Sequence, residues 1–457
     1  MTSPRRCGGD PPLKREGRKP LTSQRLFPLS SDWRAPSGQR GGEWMRAGGE
    51  GHLCYSRPIF YESREVHGEG AMTGSTQTDA APYDRALTAA FASIRRTIPR
   101  MGTDRPSIGE AGGLTYIRCG ENDWVDSFWN GQLWLAWDET RDEAFFAAAR
   151  AQRPYFAERV ARLDSHDHDL GFLFTLSTVA DYTLTGDVEA RQLSLRAAAA
   201  LAGRFNRAGR FIRAWNARPG MSPGEASRRQ GKIIVDCMMN LALLFWAARE
   251  SGRTELATIA VAHADTNTRH IVRPDDSTYH TFDFDPETGA PLGGSTHQGF
   301  GDESCWSRGH AWAIHGYAQT YRYTGEVRFR EVACRLADYA LARLPADGVP
   351  LWDYRLPADA PQHRDSSAAS IEAAGLFLLA DTLGDDPIAA TYRAAATRIL
   401  EGLIAGYTTF ARPEAEGLLL HGASHVPQGR SDTMLPYGDY FFVEALLRAR
   451  GRTAFFW

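Results

Sequence analysis

The sequence predicts an all-α fold, an (α/α)6 barrel of six helical hairpins behind a disordered N-terminal extension, on three observations. A phrase recurs in which an apolar helix ends in glycine or a polar turn and an Ala-rich helix follows. It occupies residues 133–151, 179–202, 244–264, 317–341 and 376–400, and in shortened form 443–457. Recurrence of this kind marks a stacked or closed helical array. Gly186, Gly252, Gly325, Gly384 and Gly451 fall where a left-handed helix cap is wanted. β-rich stretches are few and short, YHTFDF at 279–284 and VPLWDY at 349–354.

In chain order, residues 1–78 read as an irregular or disordered extension and 79–457 as the barrel. Residues 1–71 are rich in Gly, Pro, Ser and Arg, without helical or strand periodicity and without the apolar core of a secretory signal. They hold 12 basic and 8 acidic residues, a net +4, which leaves −7 on the remainder of a chain of net charge −3. Such a basic lead could touch nucleic acid or membrane, but an unstructured tail is the expectation, and Met72 is a natural alternative start. The composition, 43% hydrophobic and 23% charged, is that of a soluble globular protein. No apolar run approaches the ~20 residues of a membrane span. Cys7, Cys54, Cys119, Cys237, Cys305 and Cys334 are scattered, with no CxxC. They are expected to be reduced thiols in a cytoplasmic protein, neither a zinc site nor a disulfide framework.

A first amphipathic helix begins near Asp84 (ALTAAFASIRRTI). The connections that lead into the apolar helices carry the unusual residues: Trp124, His168 and Asp169, Trp215, Asp236, the stretch 297–308, 364–370 and 438–440. In a toroid of hairpins these loops share one end, where a site is expected.

Two of them place a carboxylate at the entry to an apolar run: Asp236 in GKIIVDCMMNLALLFW, with Asn240 one turn later, and Asp169 in SHDHDLGFLF. A buried carboxylate must be paired, hydrogen-bonded or protonated. Either it caps a helix or fixes a loop, or the pair is the kind that performs general acid/base chemistry on sugars. Trp134 and Trp137 lie at helical spacing and are expected in the core, whereas Trp124 precedes its helix and is a flat platform for a sugar ring. Arg308, in THQGFGDESCWSRGHAW, is suited to clamp a carboxylate, or to pair with Asp302 or Glu303 at a helix start. Ser366, Ser367 and Ser370 suit helix capping or an anion at a helix N-terminus.

The joint occurrence of HDHDLGF, KIIVDCMMNL, YHTFDFD, THQG…WSRGHAW, RDSSAAS and YGDYFFVEALLR resembles glycoside hydrolase family 88, the unsaturated glucuronyl hydrolases, over residues 84–457. The resemblance implies an (α/α)6 barrel without metal or organic cofactor. Its substrates would be lyase-generated oligosaccharides ending in a 4,5-unsaturated uronic acid, with no nucleic acid or membrane as partner, and the protein a monomer or weak homo-oligomer. It implies Asp236 as general acid/base and Asp169 as second essential carboxylate. Trp124, His168, Trp215, His280, Gln298, Trp306, Arg308 and Trp312 would line the sugar cleft, with Ser366 and Ser370 near the substrate carboxylate. Three features depart from the pattern: the first 71 residues, a long loop at 216–230, and His310 where Gln is expected. Unsaturated rhamnogalacturonyl hydrolases, an inverting glycosidase and a non-catalytic helical scaffold are the competing expectations.

Overall fold

The computed structural model describes residues 81–120, 122–162 and 167–457; the expected extension at 1–78 lies outside them. The expectation of six hairpins in a ring is met. The inner ring consists of α2 (Phe128–Thr140), the interrupted helix α5 (Leu170–Phe174) to α6 (Ala180–Thr185), α9 (Cys237–Ser251), α11 (Ser307–Thr324), α13 (Ser366–Leu383) and α15 (Pro436–Ala449). Each packs on the next, and α15 packs back on α2, which closes the ring. A π-helical turn, Thr175–Val179, joins α5 to α6.

Outside lie α1 (Ala81–Met101), α3 (Glu143–Ala151) with α4 (Arg153–Ala161), α7 (Val188–Ala202), α10 (Thr254–His270), α12 (Val327–Leu341) and α14 (Ile388–Gly406). The two rings differ in sequence because they differ in surroundings. α13 is buried along nearly its whole length, whereas α12 buries only one stripe, from Phe329 to Ala340. Gly186, Gly252 and Gly325 end inner helices with φ of 70–73°. After α2 the same left-handed position is filled by Arg141 at φ 55°, so this turn carries no glycine signal.

Two expectations are corrected. Residues 443–457 are not a shortened hairpin. After α15 the chain turns at Gly451 and Phe455, Phe456 and Trp457 become buried. Trp457 stacks on Phe441 at 5.7 Å and donates from Nε1 to Glu444 at 2.8 Å. The outer helix facing α15 is α1. The stretch 349–354 forms no strand, only the isolated bridges Leu351 to Arg364 and Asp353 to Trp306. Here the Asp353 carboxylate accepts the backbone N–H groups of Phe300, Cys305 and Arg355, bonds a side chain makes in place of a ladder.

The other β-stretch forms β6 (Thr281–Phe284), which lies antiparallel between β5 (Lys232–Ile234) and β7 (Pro291–Ser295). β5 ends two residues before Asp236, so this small sheet pins the lead into α9. The long loop 216–230 contains a helix of its own, α8 (Pro223–Gln230), opened by a capping box of Ser222 and Glu225.

Candidate active site

Asp169 and Asp236 occupy the N-cap positions of α5 and α9, and neither makes a side-chain cap hydrogen bond. Other aspartates at helix starts do: Asp142, Asp187 and Asp365 each accept backbone N–H groups of the first turn. The helix-capping alternative therefore fails for this pair. Burial, opposed by the Asn240 hydrogen bond and by Arg159 and Arg204, pushes the Asp169 carboxyl up to about 7. Burial and then the charge of Asp169 push Asp236 up to about 8, against a weaker pull from Arg308. Asp236 Oδ1 is shielded from solvent and has no hydrogen-bond partner. A carboxyl in that state holds a proton at neutral pH and has nothing in the protein to give it to.

His168 lies against Asp169, its Nε2 3.5 Å from Oδ2. Burial lowers this imidazole to about 4, so it is neutral at pH 7. His280 is buried, and its Nδ1 accepts the backbone N–H groups of His297 and Gln298 at 3.0 and 3.1 Å. Two donors converging on Nδ1 place the His280 proton on Nε2. The His280 ring lies 4.5 Å from Trp306. Trp215 is partly exposed, with the Arg229 guanidinium 4.8 Å over its ring and His297 at its edge. Trp124 is also partly exposed and packs on Tyr437, Phe128 and Phe172.

Arg308 is not paired with Asp302 or Glu303, nor is it a free clamp. Its Nη1 donates to Asp365 at 2.7 Å and to the Ala423 carbonyl at 2.6 Å, and its Nη2 to Gln298 Oε1 at 2.8 Å and the Ser424 carbonyl at 2.7 Å. The side chain is 1% exposed and sits between the rings of Trp306 and Tyr437. All four terminal N–H groups are thus engaged by protein, and Arg308 braces the loops that carry Gln298 and Ser424.

Trp312 is fully buried between Phe172 and Phe441, a core residue more than a lining one. The serines do not cap α13. Asp365 does so, accepting from the N–H groups of Ser367 and Ala368, while Ser370 Oγ donates to the Ser367 carbonyl. Ser366 is buried at the helix start, where its N–H donates to the His421 carbonyl.

Sequence reasoning missed Asn240 as a partner of Asp169, and His425 and Tyr437 altogether. Both ring nitrogens of His425 are shielded and without a partner, and the ring meets His297 at 5.0 Å. Its segment, SHVPQGR, has no helical or strand period that would have marked it.

The profile of Glycosyl Hydrolase Family 88 matches residues 116–429. The chain belongs to that family. This family 88 chain is 39% identical to an unsaturated glucuronyl hydrolase of Bacillus sp. strain GL1, over 82% of its own length and 98% of the relative's. It is 37% identical to an unsaturated chondroitin disaccharide hydrolase of Streptococcus pyogenes, over 80% and 90%. The crystal structure of the Bacillus sp. GL1 unsaturated glucuronyl hydrolase, responsible for degradation of glycosaminoglycan, superposes with a TM-score of 0.77 over 82% of the family 88 chain and 99% of that structure. A mutant unsaturated glucuronyl hydrolase from Streptococcus agalactiae, complexed with dGlcA-GalNAc6S, is 31% identical with a TM-score of 0.72, over 84% and 95%.

Proposed function

We propose that the protein is an unsaturated glucuronyl hydrolase. It adds water across the C4=C5 double bond of the terminal 4,5-unsaturated uronic acid on lyase-generated oligosaccharides and so releases that sugar from its neighbour. The observation that carries this reading is the Asp236 carboxyl, raised to about 8 by burial and by Asp169, with an unpartnered oxygen. Membership of family 88 and relatives named for unsaturated glucuronyl and chondroitin disaccharide substrates support it.

The substrate double bond is a vinyl ether conjugated with a carboxylate, and its slow step is protonation of C4. Asp236 gives its proton to C4, the π electrons form the new C4–H bond, and positive charge develops at C5 and the ring oxygen. The Asp236 carboxylate then takes a proton from the water whose oxygen bonds to C5. The product is a hemiketal, which opens its ring and expels the adjoining sugar. Asp169 remains ionised, steadies the developing positive charge and keeps the proton affinity of Asp236 high. No step calls for a metal or an organic cofactor. Trp124 and Trp215 offer flat apolar faces to the sugars. Trp306, His280 and Gln298 complete the cleft wall braced by Arg308, with His168 and Ser366 beside it.

Among the described residues no helix is long and apolar enough to cross a membrane. Cys119, Cys237, Cys305 and Cys334 are free thiols. We place the enzyme in the cytoplasm on that chemistry, acting as a monomer or weak homo-oligomer. The deciding assay offers saturated and unsaturated disaccharides side by side and follows ultraviolet absorbance of the conjugated alkene. Loss of absorbance with only the unsaturated sugar is expected. Cleavage of the saturated one, without absorbance change, points to an inverting glycosidase instead. A panel of pectin- and glycosaminoglycan-derived disaccharides separates a rhamnogalacturonyl preference from a glucuronyl one.

A further inference from the structure

Asn240 is fully buried on α9, one turn after Asp236. Its Oδ1 accepts the Phe172 backbone N–H of α5 at 2.7 Å. A backbone N–H can only donate, so this bond fixes which way round the amide lies and turns its NH2 group to the opposite side. On that side Nδ2 hydrogen-bonds the Asp169 carboxyl. Its other neighbour there is the Asp236 main-chain carbonyl, at a long 3.5 Å. Asp236 Oδ1 receives nothing. The two helices meet at this point without intervening side chains: a Cβ on Gly171 would stand 2.3 Å from the Asn240 Cα.

We infer that Asn240 is a positioning residue for the acid pair, holding Asp169 by a donated hydrogen bond and leaving Asp236 without one, so that the charge rests on Asp169 and the proton on Asp236. This rests on the hydration reading above, which needs the two carboxyls in unequal states. Without such a device two shielded carboxyls compete for one proton. The other groups that face them do not make this distinction alone. Asp169 is faced by Asp123, Asp167, the neutral His168, Arg159 and Arg204. Asp236 is faced by Asp169 and Arg308, and Cys237, its thiol pushed up by burial, lies beside both.

Two variants test the inference, each read as the pH profile of alkene loss. Asn240→Leu keeps the bulk and removes the donor. Asp169 then binds its proton more tightly and repels that of Asp236 less, so the acid limb moves up, the alkaline limb moves down and the bell narrows. Turnover at neutral pH falls about 10- to 100-fold. Asn240→Asp keeps both shape and the acceptor for Phe172, and donates to Asp169 only while it holds its own proton. Its activity survives on the acid side and its optimum shifts to lower pH. A folded variant of either kind with the wild-type profile overturns the inference. If Asn240→Leu does not fold, Asn240→Asp decides alone. Wild-type enzyme that leaves the alkene intact refutes the hydration reading itself, a separate result from variants that keep its profile.

Discussion

The Asp169 carboxylate, at the start of one inner helix, adds to burial in raising Asp236 at the start of the next. Catalysis needs Asp236 protonated, so turnover should fall as pH rises through about 8. On the acid side it should fall as Asp169, raised to about 7, takes up its proton. Asp236→Asn should abolish turnover and leave the fold and substrate binding intact. Near-normal activity in that variant removes Asp236 from the chemistry.

The same shifts make a stability prediction. Unfolded, the Asp236 carboxyl releases its proton near 3.8; folded, it keeps it up to about 8. Its contribution to stability is therefore whole below the unfolded value and is lost as pH rises through the folded one. An amide at this position has no such dependence. The melting temperature of wild type should fall relative to Asp236→Asn between about pH 5 and about pH 8.5, which paired thermal melts would measure. A constant difference across that range means the buried acid is not protonated in the folded state.

Arg308→Ala should act on stability before it acts on substrate affinity. Removing one partner of a buried ion pair costs about 3–5 kcal/mol, and Arg308 and Asp365 are both shielded. Arg308→Lys should fail to restore the melting temperature, because one ammonium cannot serve Asp365, Gln298, Ala423 and Ser424 together. Normal melting with a raised KM would return Arg308 to the role of substrate clamp.

Gly171→Ala should be the most damaging methyl addition near the site. Backbone atoms, not a yielding side chain, stand in the way, so α5 and α9 must separate. A severe loss of turnover with a smaller loss of helicity is expected from activity and circular dichroism. A fully active variant would mean that the spacing of the two helix starts is not critical.

The barrel was legible because hairpins repeat: each inner helix is apolar on every side and each outer one is not, and that contrast survives in the letters. The two carboxylates were legible for the same reason, since Asp169 and Asp236 stand out against apolar runs. Arg308 was not, because its partners Asp365 and Ala423 lie 57 and 115 residues away and nothing local announces them. The capping role assigned to Ser366, Ser367 and Ser370 belongs to the residue before them, Asp365, and spacing alone does not separate adjacent positions. Residues 443–457 looked like a helix pair because 443–449 are helical and a glycine follows. The three aromatics behind it were the overlooked signal, a sequence more suited to filling a hole than to winding an Ala-rich outer helix.

The pairing of α1 with α15 has a consequence for biosynthesis. α1 is made first among the helices, yet its partner across the seam is the last to leave the ribosome. Until then its apolar stripe, from Tyr83 through Leu87 and Phe91 to Ile94, has no permanent cover. The nascent toroid is an open arc with one greasy edge, a surface that a chaperone must shield or that an early interruption of translation would leave to aggregate.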